Sequence, residues 1–325
     1  MTDGLLFANA VAKVKEQSLF GEERLFRLLE SPTLADAVRI LAEANYGGGI
    51  VTDDPSDFEK ALSAEERLAV EFIRQLKLDI GTDCFLLYYD YHNIKSLLKS
   101  LYGGSPIEQS QVINGLYDIE ELKGKLVADN PDINPYADEA VKAIRKAFEN
   151  ARSPRLIDVL IDKAMYKDIT ARLARKSTDP HIRRYFEALI DLTNMDTMIR
   201  SQNIGAGFTF FGESFLEGGK MPLAAFSAVY EGGAEGFAAL TKGTDYEKVA
   251  SKFNDGGLPS FSAAKDDYLL DIFRAEKSDI FTAAPVVGYY LAKKQEIKML
   301  RIALVCIKND VDRAEIRKRM RSLYA

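Results

Sequence analysis

The sequence lacks several features that would point to a particular chemistry. Tryptophan is absent, and the 325 residues include only two cysteines and two histidines. The histidines, His92 and His181, are 89 residues apart, and no His or Cys pair has the short spacing of metal ligands. Dinucleotide-binding, phosphate-loop and nucleophile-elbow motifs are also missing. The sequence therefore predicts no metal, no cofactor and no catalytic residue.

Long apolar runs and an excess of positive charge are missing as well. No apolar stretch approaches the roughly 20 residues that span a bilayer, and the N-terminus has no basic start followed by an apolar segment. A formal net charge of −6 argues against nucleic acid as a partner. We expect a cytoplasmic protein without a transmembrane segment or signal peptide. In that compartment Cys84 and Cys306 are predicted to be buried free thiols, with a disulfide between them as the alternative.

What the sequence does have is helical periodicity along almost its whole length. Ile94, Leu97, Leu98 and Leu101, for example, follow the i, i+3, i+4, i+7 spacing of one buried helix face. Strand patterns of useful length are missing, so the predicted fold class is all-α. The predicted helices are Gly4–Gln17, Glu22–Leu29, one capped at Ser31–Thr33, two within Phe58–Tyr102 separated near Gly81, Gln111–Val127, Pro135–Asn150, a pair broken near Pro180 and ending at Ile204, Pro222–Tyr230, Ala234–Thr241, Ser262–Glu276, Val286–Ile307 and Arg313–Leu323.

The helical pattern repeats. DYHNIKSLLKSLYGG begins at Asp90, DLTNMDTMIRSQNIGAG at Asp191 and KKQEIKMLRIALVCIKND at Lys293. Superposing Asn93, Asn194 and Glu296 gives spacings of 101 and 102 residues, and a helix breaker precedes them by 12, 14 and 11 residues. A near-constant long spacing indicates internal duplication. We infer three homologous helical units, residues 1–104, 105–207 and 208–325, and predict that they form a pseudo-threefold funnel.

The repeat landmarks Asn93, Asn194 and Glu296 have two interpretations. They could be presented in turn around a shared cavity. Alternatively, each could bond locally within its own unit, as buried polar groups usually do. His92 and its neighbour Asp90 likewise form either an acid–base pair or an ordinary part of a helix surface.

The C-terminal end differs in charge from the rest of the chain. From Lys293 to Ala325 there are ten Lys or Arg and four Asp or Glu, a net charge of +6, so residues 1–292 carry −12. Arg317, Lys318, Arg319 and Arg321 are its densest cluster. They form either a solvated helix face or a surface for an acidic partner or anionic lipid headgroups.

Three segments resemble one known family. DYHNIKSLLKSLYGG, together with LLESPTLADAVRILAEANYGG near the start and YYLAKKQEIKMLRIALVCIKND…IRKRMRSLYA at the end, is similar to the C subunit of V-type (A/V-type) ATP synthases, which is related to the d subunit of the vacuolar ATPase. The resemblance covers essentially the whole chain. It implies a funnel of three homologous helical domains that seats the central rotor shaft, of D/F type, on the membrane proteolipid ring.

The function that this resemblance implies is mechanical. The protein would transmit torque that couples ATP synthesis or hydrolysis to ion transport, catalyse nothing itself, and lie on the cytoplasmic face of the membrane through its complex. On this interpretation Asn93, Asn194 and Glu296 are predicted near the rotor cavity, and the basic C-terminal cluster toward the ring or membrane. The alternatives are a helical scaffold outside any rotary machine, and an enzyme using His92 or Asp90.

Overall fold

The computed structural model describes residues 2–50, 52–104, 107, 112–128, 130–149, 153–317 and 319–324. Within these residues the regular secondary structure is entirely helical, which confirms the predicted fold class. The α-helices are α1 (Thr2–Glu16), α2 (Glu22–Leu29), α3 (Leu34–Glu43), α4 (Glu59–Leu76), α5 (Cys84–Gly103), α6 (Ile119–Val127), α7 (Pro135–Phe148), α8 (Pro154–Leu173), α9 (Pro180–Asn203), α10 (Phe208–Ser214), α11 (Leu223–Ser227), α12 (Gly233–Thr241), α13 (Glu247–Arg274), α14 (Ala284–Lys308) and α15 (Arg313–Arg317).

The chain divides into two compact parts. Residues 1–78 and 248–325 form one, which we call the discontinuous domain, and residues 79–247 form the other, the continuous domain. The three homologous units and their funnel arrangement stay predictions.

In the discontinuous domain, the core is built around α14. Leu28 of α2 and Leu41 of α3 are buried in the same apolar cluster as Leu300 and Leu304 of α14. Helices α1 and α4 also pack against α14. The long helix α14 therefore joins segments from the two ends of the sequence in one core.

In the continuous domain, α8 is the central element. Both α5 and α7 pack along it, and α6 packs on α5. Ion pairs also join the start of α5 to the end of α8. Asp83, the residue before α5, lies 2.8 Å from Arg172 in the last turn of α8 and 2.5 Å from Arg175, two residues after that helix ends.

Several helix boundaries follow directly from local chemistry. Thr33 caps α3, since its hydroxyl accepts the backbone N–H of Asp36 at 3.1 Å. The chain then leaves the helix through Asn45–Gly49, where Asn45 and three glycines adopt positive φ angles. The breaks predicted near Gly81, Pro180 and Pro285 are confirmed at the starts of α5, α9 and α14.

Several predicted elements were wrong in extent, among them the helix predicted at Ser262–Glu276, which is observed at Glu247–Arg274. The last helix, expected to reach Leu323, ends at Arg317, because the following segment instead bonds to α13: Ser322 donates its backbone N–H to Asp267 at 2.9 Å. The region Gly205–Lys220, where no helix was predicted, contains α10, whose Phe211 is buried among aromatic rings. Helix α6 begins at Ile119 because Asp118 caps it; Gln111, its predicted start, lies outside the described residues.

Candidate functional site

Asp90 and Asn93 lie one turn apart on α5, so both side chains face the loop that precedes α6. The Asp90 carboxylate accepts the backbone N–H groups of Leu116 at 2.8 Å and Tyr117 at 3.1 Å. The Asn93 amide donates to the carbonyl of Ile113 at 3.0 Å. Two adjacent polar residues therefore hold one loop on the helix.

The environment of Asp90 changes its acidity. Its side chain is fully buried, and burial raises the pKa of this carboxyl to about 7. The N–H groups of the loop and the more distant Arg172 act in the opposite direction but do not outweigh burial.

Asp191 and Asn194 repeat this arrangement on α9. Asp191 accepts the backbone N–H groups of Lys220 at 3.1 Å and Met221 at 3.0 Å, and the hydroxyl of Tyr246 at 2.8 Å. Asn194 makes two bonds to the backbone of Leu216, donating at 2.8 Å and accepting at 2.9 Å. Both side chains are fully buried, so all of this bonding is internal.

Lys293 and Glu296 occupy the corresponding positions on α14 and are charged. The Lys293 ammonium, 1% exposed, lies 2.7 Å from Glu296 and 3.0 Å from Glu65 of α4. Glu296 also accepts the hydroxyl of Tyr46 at 3.0 Å and the backbone N–H of Phe20. Glu65 accepts the backbone N–H of Gly47 at 2.8 Å.

Burial and pairing act on these charges together. Burial raises the pKa of Glu296, and Lys293 works against that rise. Burial disfavours the charge of Lys293, but Glu296 and Glu65 outweigh it and raise the pKa of the ammonium. A buried cation is thus satisfied by two carboxylates.

Each landmark therefore supports a different segment. Asn93 and Asn194 hold separate loops of the continuous domain, and Glu296 holds the start of α2 in the discontinuous domain. All three landmarks are satisfied by internal bonds, but not within their own predicted units. Asn93 bonds to Ile113 of residues 105–207, Asn194 to Leu216 of residues 208–325, and Glu296 to Phe20 of residues 1–104, so this part of the local interpretation is wrong. Their position relative to a rotor cavity stays a prediction.

Sequence reasoning missed the supporting role of the residues one turn before the landmarks, since it named Asp90 only as a possible acid–base group. Asp90, Asp191 and Lys293 have the same spacings of 101 and 102 residues as the landmarks, so the signal was present. Tyr46 and Glu65 could not have been found this way, because they lie far from Lys293 in sequence.

The remaining candidate residues are the possible acid–base pair of His92 and Asp90, and the two cysteines. His92 is exposed on α5, whereas Asp90, two residues earlier, is buried, so the two do not form an acid–base pair. Cys84 and Cys306 are both buried free thiols, as predicted. Burial raises the pKa of the Cys84 thiol to about 12.

The basic C-terminal cluster is only partly open to solvent. Arg319 is exposed, and Arg317 is half-exposed beside its partner Glu30. The Arg321 side chain is only 6% exposed and lies 2.9 Å from Asp266 of α13. Lys318 lies outside the described residues. Arg321 therefore belongs to the internal contacts of its domain rather than to an open surface.

Among the residues that the structure describes, no group of three or more His, Cys, Asp or Glu side chains could hold a metal ion. The same residues include no helix with the length and apolar character needed to cross a bilayer. The polar groups described above support the chain's own loops, and the fold of the described residues is all-α.

Comparison with known proteins identifies its family. The chain belongs to the ATP synthase (C/AC39) subunit family, whose profile matches residues 8–319. It is 23% identical to the C subunit of the V-type sodium ATPase of Enterococcus hirae over 97% of this chain and 98% of the relative. It is 24% identical to the C subunit of the V-type ATP synthase of Thermus thermophilus, over 71% of this chain and 73% of the relative. It is 22% identical to the C subunit of the A-type ATP synthase of Methanocaldococcus jannaschii, over 98% of this chain and 86% of the relative.

Proposed function

We propose that this chain is a non-catalytic central-stalk component of a V/A-type rotary ATPase. It joins the rotor shaft to the membrane proteolipid ring and transmits the torque that couples ATP synthesis or hydrolysis to ion transport. The observation that carries this proposal is the family match over residues 8–319, with relatives that align along most of their length.

The helices of the chain are consistent with a mechanical role. Helices α9 and α14 have 24 and 25 residues, and would each extend about 36–38 Å at 1.5 Å per residue. Ion pairs connect neighbouring long helices: Lys95 of α5 lies 2.8 Å from Asp162 of α8, and Arg301 of α14 lies 2.6 Å from Glu59 of α4. Such side-to-side connections would resist sliding of one helix past another.

The proposed partners are shaft subunits of D/F type and the proteolipid ring. We propose that three homologous helical units form a pseudo-threefold funnel with the shaft in its cavity, and that the protein lies on the cytoplasmic face of the membrane through these partners. The repeated pair of polar residues at Asp90–Asn93 and Asp191–Asn194 supports the homology of the units.

Co-purification tests the assignment. The tagged full chain, recovered from detergent-solubilised membranes of its own source, should bring down the shaft subunits and the ring. Recovery of other proteins, without any ATPase subunit, would favour a helical scaffold outside a rotary machine and would reject the proposal.

A second experiment tests the basic surface. Reversing Arg317 and Arg319 to Glu should weaken association with the ring, because both are open to solvent in part or in full. Reversing Lys176 and Arg184, two exposed residues of the continuous domain, makes the same change in net charge and serves as the control. If the two double variants associate with the ring equally well, Arg317 and Arg319 are not part of the surface that binds it. Arg321 is left unchanged because its reversal would break the contact with Asp266.

A further inference from the structure

Three loops of this chain lead into short helices in the same way. Tyr117, Met221 and Phe20 each stand two residues before the first residue of a helix: Ile119 of α6, Leu223 of α11 and Glu22 of α2. The backbone N–H of each donates to a carboxylate on a long helix. These three hydrogen bonds are therefore equivalent in the repeat.

The carboxylate that accepts the bond changes position in the third case. Asp90 and Asp191 accept for Tyr117 and Met221. On α14 the position equivalent to Asp90 and Asp191 is Lys293. The acceptor is Glu296, one turn later, where α5 and α9 have asparagine. The longer glutamate side chain reaches the N–H from that turn, and Lys293 balances its charge.

The third connection also spans far more of the chain. The bonded residues are separated by 27 positions for Asp90 and 30 for Asp191, but by 276 for Glu296. Loop-closure probability falls with about the 3/2 power of length, so the longest closure is disfavoured by about 30-fold relative to the shortest. In the first two cases the chain itself keeps the loop near its acceptor, and in the third it does not.

Charged groups make this third connection. Charge-assisted hydrogen bonds are stronger than neutral ones, and four of them meet around Lys293, Glu296, Glu65 and Tyr46. When the contact opens, water hydrates these charged side chains again. Opening it therefore costs less free energy than separating apolar groups would.

We propose that Lys293, Glu296, Glu65 and Tyr46 form a charged clasp that seats residues 17–50 on α14, and that this clasp is where the N-terminal segment detaches from the folded discontinuous domain. In the third repeat unit, the clasp occupies the position that the Asp–Asn pair occupies in the other two units. Apolar contacts of Leu28 and Leu41 hold the rest of the segment.

Hydrogen exchange of the full chain, followed by mass spectrometry, tests this proposal. Lys293→Met removes the central cation of the clasp. We expect amide exchange in residues 17–50 to accelerate at least tenfold, while residues 297–308 of α14 and residues 119–148 of the continuous domain change less than twofold. Trypsin should then also cut at Arg24 and Arg27 of α2 sooner than in the parent protein.

Lys298→Met is the matched control. Lys298 lies on the same helix and forms an ion pair with Asp266 at 2.5 Å, but its side chain is 45% exposed. Exchange within twofold of the parent is expected throughout. If Lys298→Met accelerates residues 17–50 as much as Lys293→Met does, the effect is general to α14 and the clasp is rejected.

Two outcomes for Lys293→Met overturn the proposal. One is less than a twofold change in residues 17–50, and the other is equal acceleration of residues 17–50 and α14, which would make Lys293 an ordinary core residue. If this variant does not fold, Tyr46→Phe removes only one hydrogen bond to Glu296. It should accelerate the same residues by about threefold, and an unchanged exchange pattern would reject the clasp.

Discussion

The carboxyl group of Asp90 is fully buried, and two backbone N–H groups of the following loop satisfy it. Burial holds its pKa at about 7 in the folded protein, against about 3.9 in an unfolded chain. Protonation therefore favours the folded state. The free energy of unfolding should fall as the pH rises from about 4 to about 7, because the unfolded state loses its proton first.

Asp90→Asn tests this sign, since asparagine does not titrate. Relative to the variant, the parent protein should lose up to about 1.4 kcal/mol of stability per pH unit between pH 4 and pH 7, and little more above that. Urea unfolding at pH 4.5 and 7.5, followed by far-ultraviolet circular dichroism, measures the difference. A parent protein that gains stability over the variant in this interval would show that the loop N–H groups outweigh burial.

Gly115 and Gly219 lie in the two loops that the aspartates hold. A Cβ atom at Gly115 would lie 2.3 Å from the carbonyl oxygen of Leu86, and one at Gly219 would lie 2.1 Å from Asp191. The loops can approach their helices this closely only because both residues lack a side chain.

Gly115→Ala and Gly219→Ala should therefore each reduce the free energy of unfolding by about 1–3 kcal/mol, the usual cost of overpacking. Gly124→Ala is the control, since Gly124 lies inside α6 with open space around it. It should stabilise the protein by about 1 kcal/mol through helix propensity. Thermal unfolding of the three variants distinguishes the effects, and equal shifts in all three would contradict the close approach.

At the scale of a helix, α3 depends on its cap. The Thr33 hydroxyl accepts the N–H of Asp36 and donates to its carboxylate at 2.7 Å. Thr33→Ala should cost about 1 kcal/mol of stability. Ser153 precedes α8 in the same position without a side-chain cap, so Ser153→Ala should change the stability by much less. Comparable losses in a urea titration of the two variants would mean that capping does not explain the effect.

Elements with complete local signals could be predicted from the sequence. Helix α2 was predicted at its observed bounds, and Asn45–Gly49 ended α3 as its glycines indicate. Helices shaped by tertiary contacts could not. The helical sequence pattern continues past Arg317. Hydrogen bonds to α13, such as that from Ser322 to Asp267, outweigh this local preference for a helix.

The same limit applies to the polar positions. The repeat spacing located Asn93, Asn194 and Glu296 without any structure, because duplication leaves a trace in the sequence. Their partners could not be inferred, since they depend on which loop returns to which helix. Phe20 is 276 residues from Glu296, and no local pattern connects them.

At the scale of the whole molecule, the proposed function predicts uncoupling. Membranes from a strain without this protein should lose ATP-driven ion transport, while the detached catalytic head continues to hydrolyse ATP. Fluorescent-dye measurement of ion uptake, compared with phosphate release, separates the two activities. Restoring the gene should restore transport, and transport that persists without the protein would contradict a torque-transmitting role.

The discontinuous domain is assembled from the two ends of the sequence, with residues 79–247 between them. A ribosome adding about 5–20 residues per second needs roughly 15–55 seconds to travel from Phe20 to Glu296. During that interval the nascent N-terminal helices have no α14 to cover Leu28 and Leu41. Newly made chains should therefore expose these leucines to chaperones until translation is nearly finished.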